Sequence, residues 1–203
     1  FYDSLGRKAE TLTPGPDASH TIVTFTVYND AAHSVLASLP FRVASRTTWL
    51  DPNGATDDTG ATPGGTVTVT DAMGSTVSTT DATASVSSAV YGLGSVSGDS
   101  NTYEMVKNID ANSHVQVSYM DSLGRTRYVV TDSGKNGGTL TPNKQVTTQY
   151  NALDKPTSVV VTDLAPQSGQ TITSVTTATQ YDDLGRVTSV SDPDRGTHAY
   201  TYD

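Results

Sequence analysis

Tyr181–Asp203 reads YDDLGRVTSVSDPDRGTHAYTYD. The stretch opens on Tyr-Asp and closes on Tyr-Asp, as though its last two residues began another copy. The hexad Tyr181-Asp182-Asp183-Leu184-Gly185-Arg186 has a close relative in Tyr2-Asp3-Ser4-Leu5-Gly6-Arg7. A third copy is Met120-Asp121-Ser122-Leu123-Gly124-Arg125, with Met120 in place of the tyrosine and Tyr119 one position upstream. Two copies are worn: Tyr150-Asn151-Ala152-Leu153-Asp154-Lys155 and Thr70-Asp71-Ala72-Met73-Gly74-Ser75. A sixth, Tyr28-Asn29-Asp30-Ala31-Ala32-His33, is much degraded. The copies stand roughly 20 to 30 residues apart in the C-terminal half and further apart before it.

Each hexad carries turn chemistry. Gly185 accepts a positive φ without steric cost, and Asp182 can hydrogen-bond the backbone of its own turn. The flanks are rich in β-branched residues: Thr-Ser-Val-Thr-Thr-Ala-Thr-Gln before Tyr181, and Val-Thr-Ser-Val-Ser after Arg186. Asp192-Pro193-Asp194-Arg195-Gly196 reads as a second turn. Beyond it, alternation puts Tyr200 and Tyr202 on one face, and Asp203 completes the next Tyr-Asp. One unit is therefore strand, turn, strand, turn. Strung together, such units predict an all-β protein of repeated antiparallel hairpins.

This pattern resembles the YD repeat of the Rhs family. The hexad followed by Gly196-Thr-His-Ala-Tyr200-Thr-Tyr202-Asp203 carries the resemblance closely, and the stretches at Tyr2, Asp121 and Tyr150 carry it more loosely. Such repeats occur in bacterial Rhs polymorphic toxins, in the B and C components of insecticidal toxin complexes, and in animal teneurins. The resemblance implies a long β-sheet that spirals into a hollow shell, enclosing a C-terminal effector in the toxins. The implied partners are the remainder of the same polypeptide, its enclosed C-terminal effector, and a partner shell chain. The organisation expected is a degenerate repeat region with insertions over 1–118 and more regular hairpins over 119–203, together one continuous fragment of a larger shell.

Composition sets limits. Of 203 residues, 34% are hydrophobic. That suits exposed sheet faces and turns better than one compact apolar core, and a sandwich would alternate more strictly. The formal net charge of −9 and the absence of a Lys/Arg cluster argue against nucleic-acid binding. With no cysteine, disulfides, thiolate metal sites and cysteine catalysis are excluded. The chain has no Asn-x-Ser/Thr sequon, which together with the missing cysteines leans towards a bacterial origin. No apolar run is long enough for a membrane-spanning helix. A secreted or cell-surface bacterial location is the expectation, with no targeting signal visible.

Between the repeats, Thr21–Tyr28 alternates as a strand, with Ile22, Thr24, Thr26 and Tyr28 on one face and Val23, Phe25 and Val27 on the other. Residues 31–39 allow two readings. Ala31, Ala32, Val35, Leu36 and Leu39 fall at helical spacing behind Asn29 and Asp30, with Pro40 as a stop. A strand is favoured instead if Tyr28 begins a decayed repeat. Phe41–Leu50 reads as a strand anchored by Trp49, Asp51–Gly65 as a turn-rich loop, and Ser85–Ser100 as an irregular connection. A hairpin is expected around Asp71–Gly74, a loop over Ser133–Thr141, and a strand over Ile172–Tyr181.

Few residues carry a catalytic or metal-binding signature. His20, His33, His114 and His198 stand at no metal-binding spacing. There is no Gly-x-Ser-x-Gly elbow and no phosphate-binding loop. Asp51, Asn53, Asp57 and Asp58 have the oxygen-rich composition of a calcium loop, but lack the Asp-x-Asp-x-Asp-Gly spacing and closing Glu. Pro52, Asn53 and Gly54 alone account for a solvated turn there. Asp51-Pro52-Asn53-Gly54 is similar to the Asp-Pro-x-Gly-Leu self-cleavage motif of the Rhs core, but Ala55 replaces the leucine and repeats continue beyond it, so no protease role is assigned to Asp51. Arg7, Arg125 and Arg186 follow the turn glycines Gly6, Gly124 and Gly185, while Asp3, Asp121 and Asp182 precede them; Asp71 and Gly74 repeat the turn without the arginine. Recurrence at one local position speaks for scaffold, because a catalytic group is needed once and a scaffold group in every unit. The expectation is a non-enzymatic shell segment with no cofactor and no metal. The alternative is an extracellular adhesion or carbohydrate-binding module presenting Tyr28, Trp49, Tyr103, Tyr128 and Tyr200.

Overall fold

The computed structural model describes residues 1–52, 54–132, 134, 137–166, 171 and 173–203. Every regular element among them is a β-strand. The chain divides into two compact units, Phe1–Ser88 and Ala89–Asp203.

The first unit contains β1 (Glu10–Pro14), β2 (His20–Asn29), β3 (Ser34–Ser38), β4 (Phe41–Ala44), β5 (Gly65–Thr70), β6 (Thr76–Thr80) and the start of β7 (Val86–Gly94). The second contains the rest of β7, then β8 (Tyr103–Ile109), β9 (Val115–Met120), β10 (Thr126–Asp132), β11 (Pro142–Tyr150), β12 (Pro156–Asp163), β13 (Ser174–Tyr181), β14 (Val187–Asp192) and β15 (Gly196–Ala199). All pair in one antiparallel sheet of 15 strands whose spatial order follows chain order, except that β4 pairs with β2 and β3 is followed by β5.

In the first unit the core forms on the face of β2 that its alternation selects. Val23 and Phe25 are buried, and Phe41 and Val43 of β4 join them with Ala55. The Phe25 and Phe41 rings meet edge to face at 5.6 Å, a favoured aromatic geometry. Each such side chain contributes roughly 1.5–3 kcal/mol by leaving water. Glu10, only 1% exposed, accepts the Leu50 N–H on one carboxylate oxygen at 3.0 Å and so ties the 45–50 segment to β1.

In the second unit Val115, Val117 and Tyr119 alternate along β9 and are buried with Tyr103, Val130 and Val96. In register, Tyr119 stands opposite Met105 and Tyr128, and Val117 opposite Val130. Beyond Val130 none of the described residues is buried. Strands β11–β15 nevertheless keep a continuous ladder. One of their faces is nearly all Ser, Thr, Gln and Ala: Gln149, Ser158, Ala178 and Ser191 lie in one register row, and Gln145, Thr162 and Ser174 in another. The other face carries a valine row, Val129–Val146–Val161–Val175, one residue from each of four strands.

Of the two readings of residues 31–39, the strand is the one found, over Ser34–Ser38: Asn29 Oδ1 takes the Ala32 N–H at 3.0 Å, His33 adopts φ +49°, and Val35 and Leu36 then pair with Tyr28 and Val27. A helix there would leave that edge of β2 without partners. Two expectations further along are corrected. The strand after Phe41 stops at Ala44, because Arg46 folds back onto the carbonyls of Thr48 (2.9 Å) and Trp49. Trp49 is 41% exposed and meets Phe1 edge-on instead of anchoring a strand. The Ser-rich 85–100 stretch contains β7, since pairing to β6 and β8 overrides its weak intrinsic preference. Asn53, Ser133, Lys135, Asn136 and Ile172, which fall in the loops and strand expected above, lie outside the described residues.

Candidate functional site

The recurrent feature of the molecule is a five-residue turn built by one carboxylate. At Asp121 the backbone N–H takes the Arg125 carbonyl (3.0 Å), and the Asp121 carbonyl accepts the Gly124 N–H (2.8 Å). Asp121 Oδ1 accepts the N–H groups of Leu123 and Arg125, both at 3.0 Å. Gly124 sits at φ +75°. The same four bonds recur at Asp3, Asp71 and Asp182, with Gly6, Gly74 and Gly185 at φ between +75° and +86°. This is the three-residue hairpin loop that ends in a left-handed residue.

Four more copies occur among the described residues, at Asp57, Asp81, Asp110 and Asn151. The Asn151 turn is the worn copy expected above. Those at Asp57, Asp81 and Asp110 were not legible as repeats. In the Asp81 and Asp110 turns the left-handed residue is Ala84 (φ +64°) or Ser113 (φ +67°), not glycine. The usable signal was an Asp two residues before a Thr or Asn. Four of these carboxylates are held below their ordinary range: Asp121 chiefly by the Arg125 guanidinium, Asp81 by the Thr83 hydroxyl, Asp110 and Asp182 by the N–H groups of His114 and Arg186.

Tyrosine and arginine reach beyond the turn. Arg7, Arg125 and Arg186 each bond the Asp of their own turn through Nε, at 2.7, 2.9 and 2.7 Å. Each also lies over a tyrosine ring from further along the chain: Tyr28 at 4.0 Å, Tyr150 at 5.1 Å and Tyr202 at 4.5 Å. Those tyrosines donate their hydroxyls to the carbonyl just after the arginine: Tyr28 to Lys8 (3.3 Å), Tyr150 to Thr126 (2.9 Å) and Tyr202 to Val187 (2.6 Å). Tyr181 makes the same bond to Pro156 at 2.9 Å, with Lys155 in the arginine's place. The tyrosine of one unit thus latches onto the unit before it. Two arginines grip a carboxylate as well: Arg7 takes both oxygens of Asp30 (2.6 and 3.2 Å), and Arg125 takes Asp154 (2.8 Å).

Among the remaining signature positions, Tyr2 is 72% exposed and bridges to Lys8, Tyr200 is 48% exposed, and Asp203 is exposed. Two of the five aromatics considered for sugar binding belong to the core of the second unit or pack against it. Tyr103 and Tyr128 pack edge to face at 5.4 Å, and both donate to Asp99 Oδ2 at 2.6 Å. Those two hydroxyls hold the Asp99 carboxyl well below its usual range, and Asp99 in turn raises Tyr128. Tyr28 is occupied by its latch.

At the former calcium candidate, Asp57 closes its own turn and Asp58 pairs with Arg42. No group of three or more His, Asp or Glu side chains among the described residues is arranged to hold a metal ion. No described helix is long and apolar enough to cross a membrane.

No protein-family model matches the chain. No curated protein matches it. Solved structures do match, among them the crystal structure of TcdB2-TccC3-Cdc42, to which the chain is similar at 13% identity and a TM-score of 0.29 over 94% of its own length, while spanning 13% of that chain.

Proposed function

We propose that the chain is a wall segment of a hollow, spiralling β-sheet shell of the Rhs/YD-repeat type, whose task is passive enclosure. Its partners are the rest of the same polypeptide, a C-terminal toxin or effector held inside, and a partner shell chain. The wall is non-enzymatic, and the protein is bacterial and secreted or at the cell surface. The observation that carries the reading is β11–β15, where paired strands continue without one buried side chain among the described residues. A sheet in water needs a covered face to be stable on its own. A sheet that is polar on one side, carries a valine row on the other, and is held from unit to unit by latches is suited to extend as a wall. The quoted Tyr-Asp-x-x-Gly-Arg repeats agree with it. The sugar-binding alternative draws no support, because Tyr103 and Tyr128 are spent in the core.

The test is the intact mass of the native protein, with peptide mapping of everything that co-purifies. A parent chain several times longer, holding a separately cleaved C-terminal polypeptide, is the expected result. A native chain of about this size with no cleaved companion would overturn enclosure.

A further inference from the structure

A cleft of about 500 Å³ lies in the second unit, between β9–β11 and the chain at Ser95, Leu140 and Leu164. Register sets its floor on one face of the sheet: Tyr119 stands opposite Tyr128, and Val130, two residues on, stands opposite Gln145. Val130, Leu140 and Leu164 supply apolar walls. The walls are tied down. The Val96 carbonyl accepts the Asp99 N–H at 3.0 Å, Asp99 is clamped by the Tyr103 and Tyr128 hydroxyls, and Leu164 donates its N–H to the Asn143 carbonyl at 2.7 Å. Two polar groups face this cleft unspent. Tyr119 is only 8% exposed, yet its hydroxyl makes no hydrogen bond among the described residues, and burial alone raises its pKa. Gln145 gives Nε2 to Thr147 Oγ1 at 3.2 Å, which leaves its side-chain carbonyl without a partner among the described residues. A buried donor is ordinarily paired, and leaving one unpaired is costly.

We propose that this cleft is a binding site for a neutral ligand with an apolar body and an amide group, whose carbonyl accepts the Tyr119 hydroxyl and whose N–H donates to the Gln145 side-chain carbonyl. Apolar walls around a few placed polar groups, in a cleft held in shape beforehand, are what a small-ligand site requires. The ligand is neutral because no Asp, Glu, Lys, Arg or His is among the described residues lining the cleft, in a chain of net charge −9. A charged ligand would shed its hydration there without a counter-charge. An amide supplies an acceptor and a donor together, one for each unspent group. The inference rests on the cleft alone and holds whether or not the shell encloses a cargo. The amide has two sources, a free small molecule or an apolar residue within a polypeptide segment, and both present the same group.

The experiment is a titration of the ¹⁵N-labelled 203-residue chain with N-acetyl-leucinamide, following the backbone amide resonances. Saturable shifts are expected at Tyr119, Val130, Leu140 and Gln145, and none in the β14–β15 turn. N-acetyl-leucine has the same body with a carboxylate and should bind about tenfold more weakly, for want of a counter-charge. Tyr119→Phe keeps the ring and removes the donor, so affinity should fall about fivefold, the scale of one hydrogen bond. Ser95→Phe, at an exposed wall position, fills the cleft and should abolish the response while the remaining spectrum stays that of the wild type. Shifts that do not saturate, equal affinity for the neutral and the charged ligand, or a Tyr119→Phe chain that binds as the wild type does overturns the proposal. A capped Ala-Leu-Ala tripeptide then separates the sources. Binding as tight as that of N-acetyl-leucinamide, or tighter, assigns the amide to a polypeptide segment, and exclusion of the tripeptide assigns it to a free small molecule.

Discussion

Two stretches of the second unit are folded by the same backbone pairing and held by different forces. β8–β10 cover a true core, with Val115, Val117, Tyr119 and Val130 all under a tenth exposed. β11–β15 have an equally continuous ladder and no buried residue among those described. In the first stretch removal of apolar surface from water does most of the stabilising. In the second, the register is fixed by carboxylate-built turns and by tyrosines that reach back to the previous hairpin. The turns themselves show the same division. The Asp110 turn is self-contained, with His114 on its own carboxylate at 3.0 Å. The Asp121 turn, one hairpin on, engages Tyr150 and Asp154 of the next. Aspartate turns the chain; tyrosine and arginine join one turn to another.

The contrast is most exposed by truncation. Tyr119→Ala should cost about 3 kcal/mol or more, the range for deleting a buried aromatic, whereas Val161→Ala on the open valine row should cost about 1 kcal/mol at half burial. Equal midpoint losses in urea unfolding would erase the distinction between the two stretches. Next in size is the left-handed position. Gly124→Ala should destabilise by about 1–2 kcal/mol, because a Cβ is strained at positive φ, and Ser113→Gly should stabilise by about 0.5–1 kcal/mol for the converse reason. Thermal melts of both variants decide this.

The latch is a smaller effect. Tyr150→Phe removes one hydrogen bond to Thr126 and should cost about 1 kcal/mol, with faster amide exchange localised to β10–β11. Exchange that rises uniformly across the unit would mean the latch has no local role. The smallest effect is a matter of pH. The Asp110 carboxyl lies below its ordinary value of 3.8, chiefly through the His114 N–H. Its stabilisation is therefore present above that ordinary value and is lost as pH falls through the lower folded one. Asp110→Asn keeps the acceptor, as Asn151 does naturally, and should flatten part of the acid limb of a stability profile below about pH 4. A variant with the wild-type acid slope would show that Asp110 is not a contributor.

The turns were legible where glycine follows the hexad's Asp-x-Leu or Asp-x-Met, at Gly6, Gly74, Gly124 and Gly185, but not at Gly60, where the Asp57 turn lacks that signature. They were hidden where Ala84 or Ser113 took that place, because the acceptor oxygen, not the glycine, is what the turn requires. β7 was hidden because its Ser, Ala and Gly residues carry little intrinsic preference and its pairing comes from neighbours. The latches were illegible for a metric reason: the tyrosine lies 20, 24, 25 or 15 residues beyond its acceptor, depending on the loop between. What recurs is the reach in space, and sequence spacing does not report it. The pairing of Tyr103 and Tyr128 on Asp99 was likewise invisible, since it joins residues up to 29 apart.

The match between chain order and strand order has a kinetic consequence. Apart from β4 and β5, each strand pairs with the strand just made, and the turns described above are closed by an oxygen from their own first residue, so loop closure stays short throughout most of the sheet. Local pairing of this kind forms on the microsecond scale of isolated hairpins, far faster than synthesis delivers residues at roughly 5–20 per second. The sheet is thereby suited to vectorial assembly, each hairpin templating the next as it emerges, with little waiting for a distant partner.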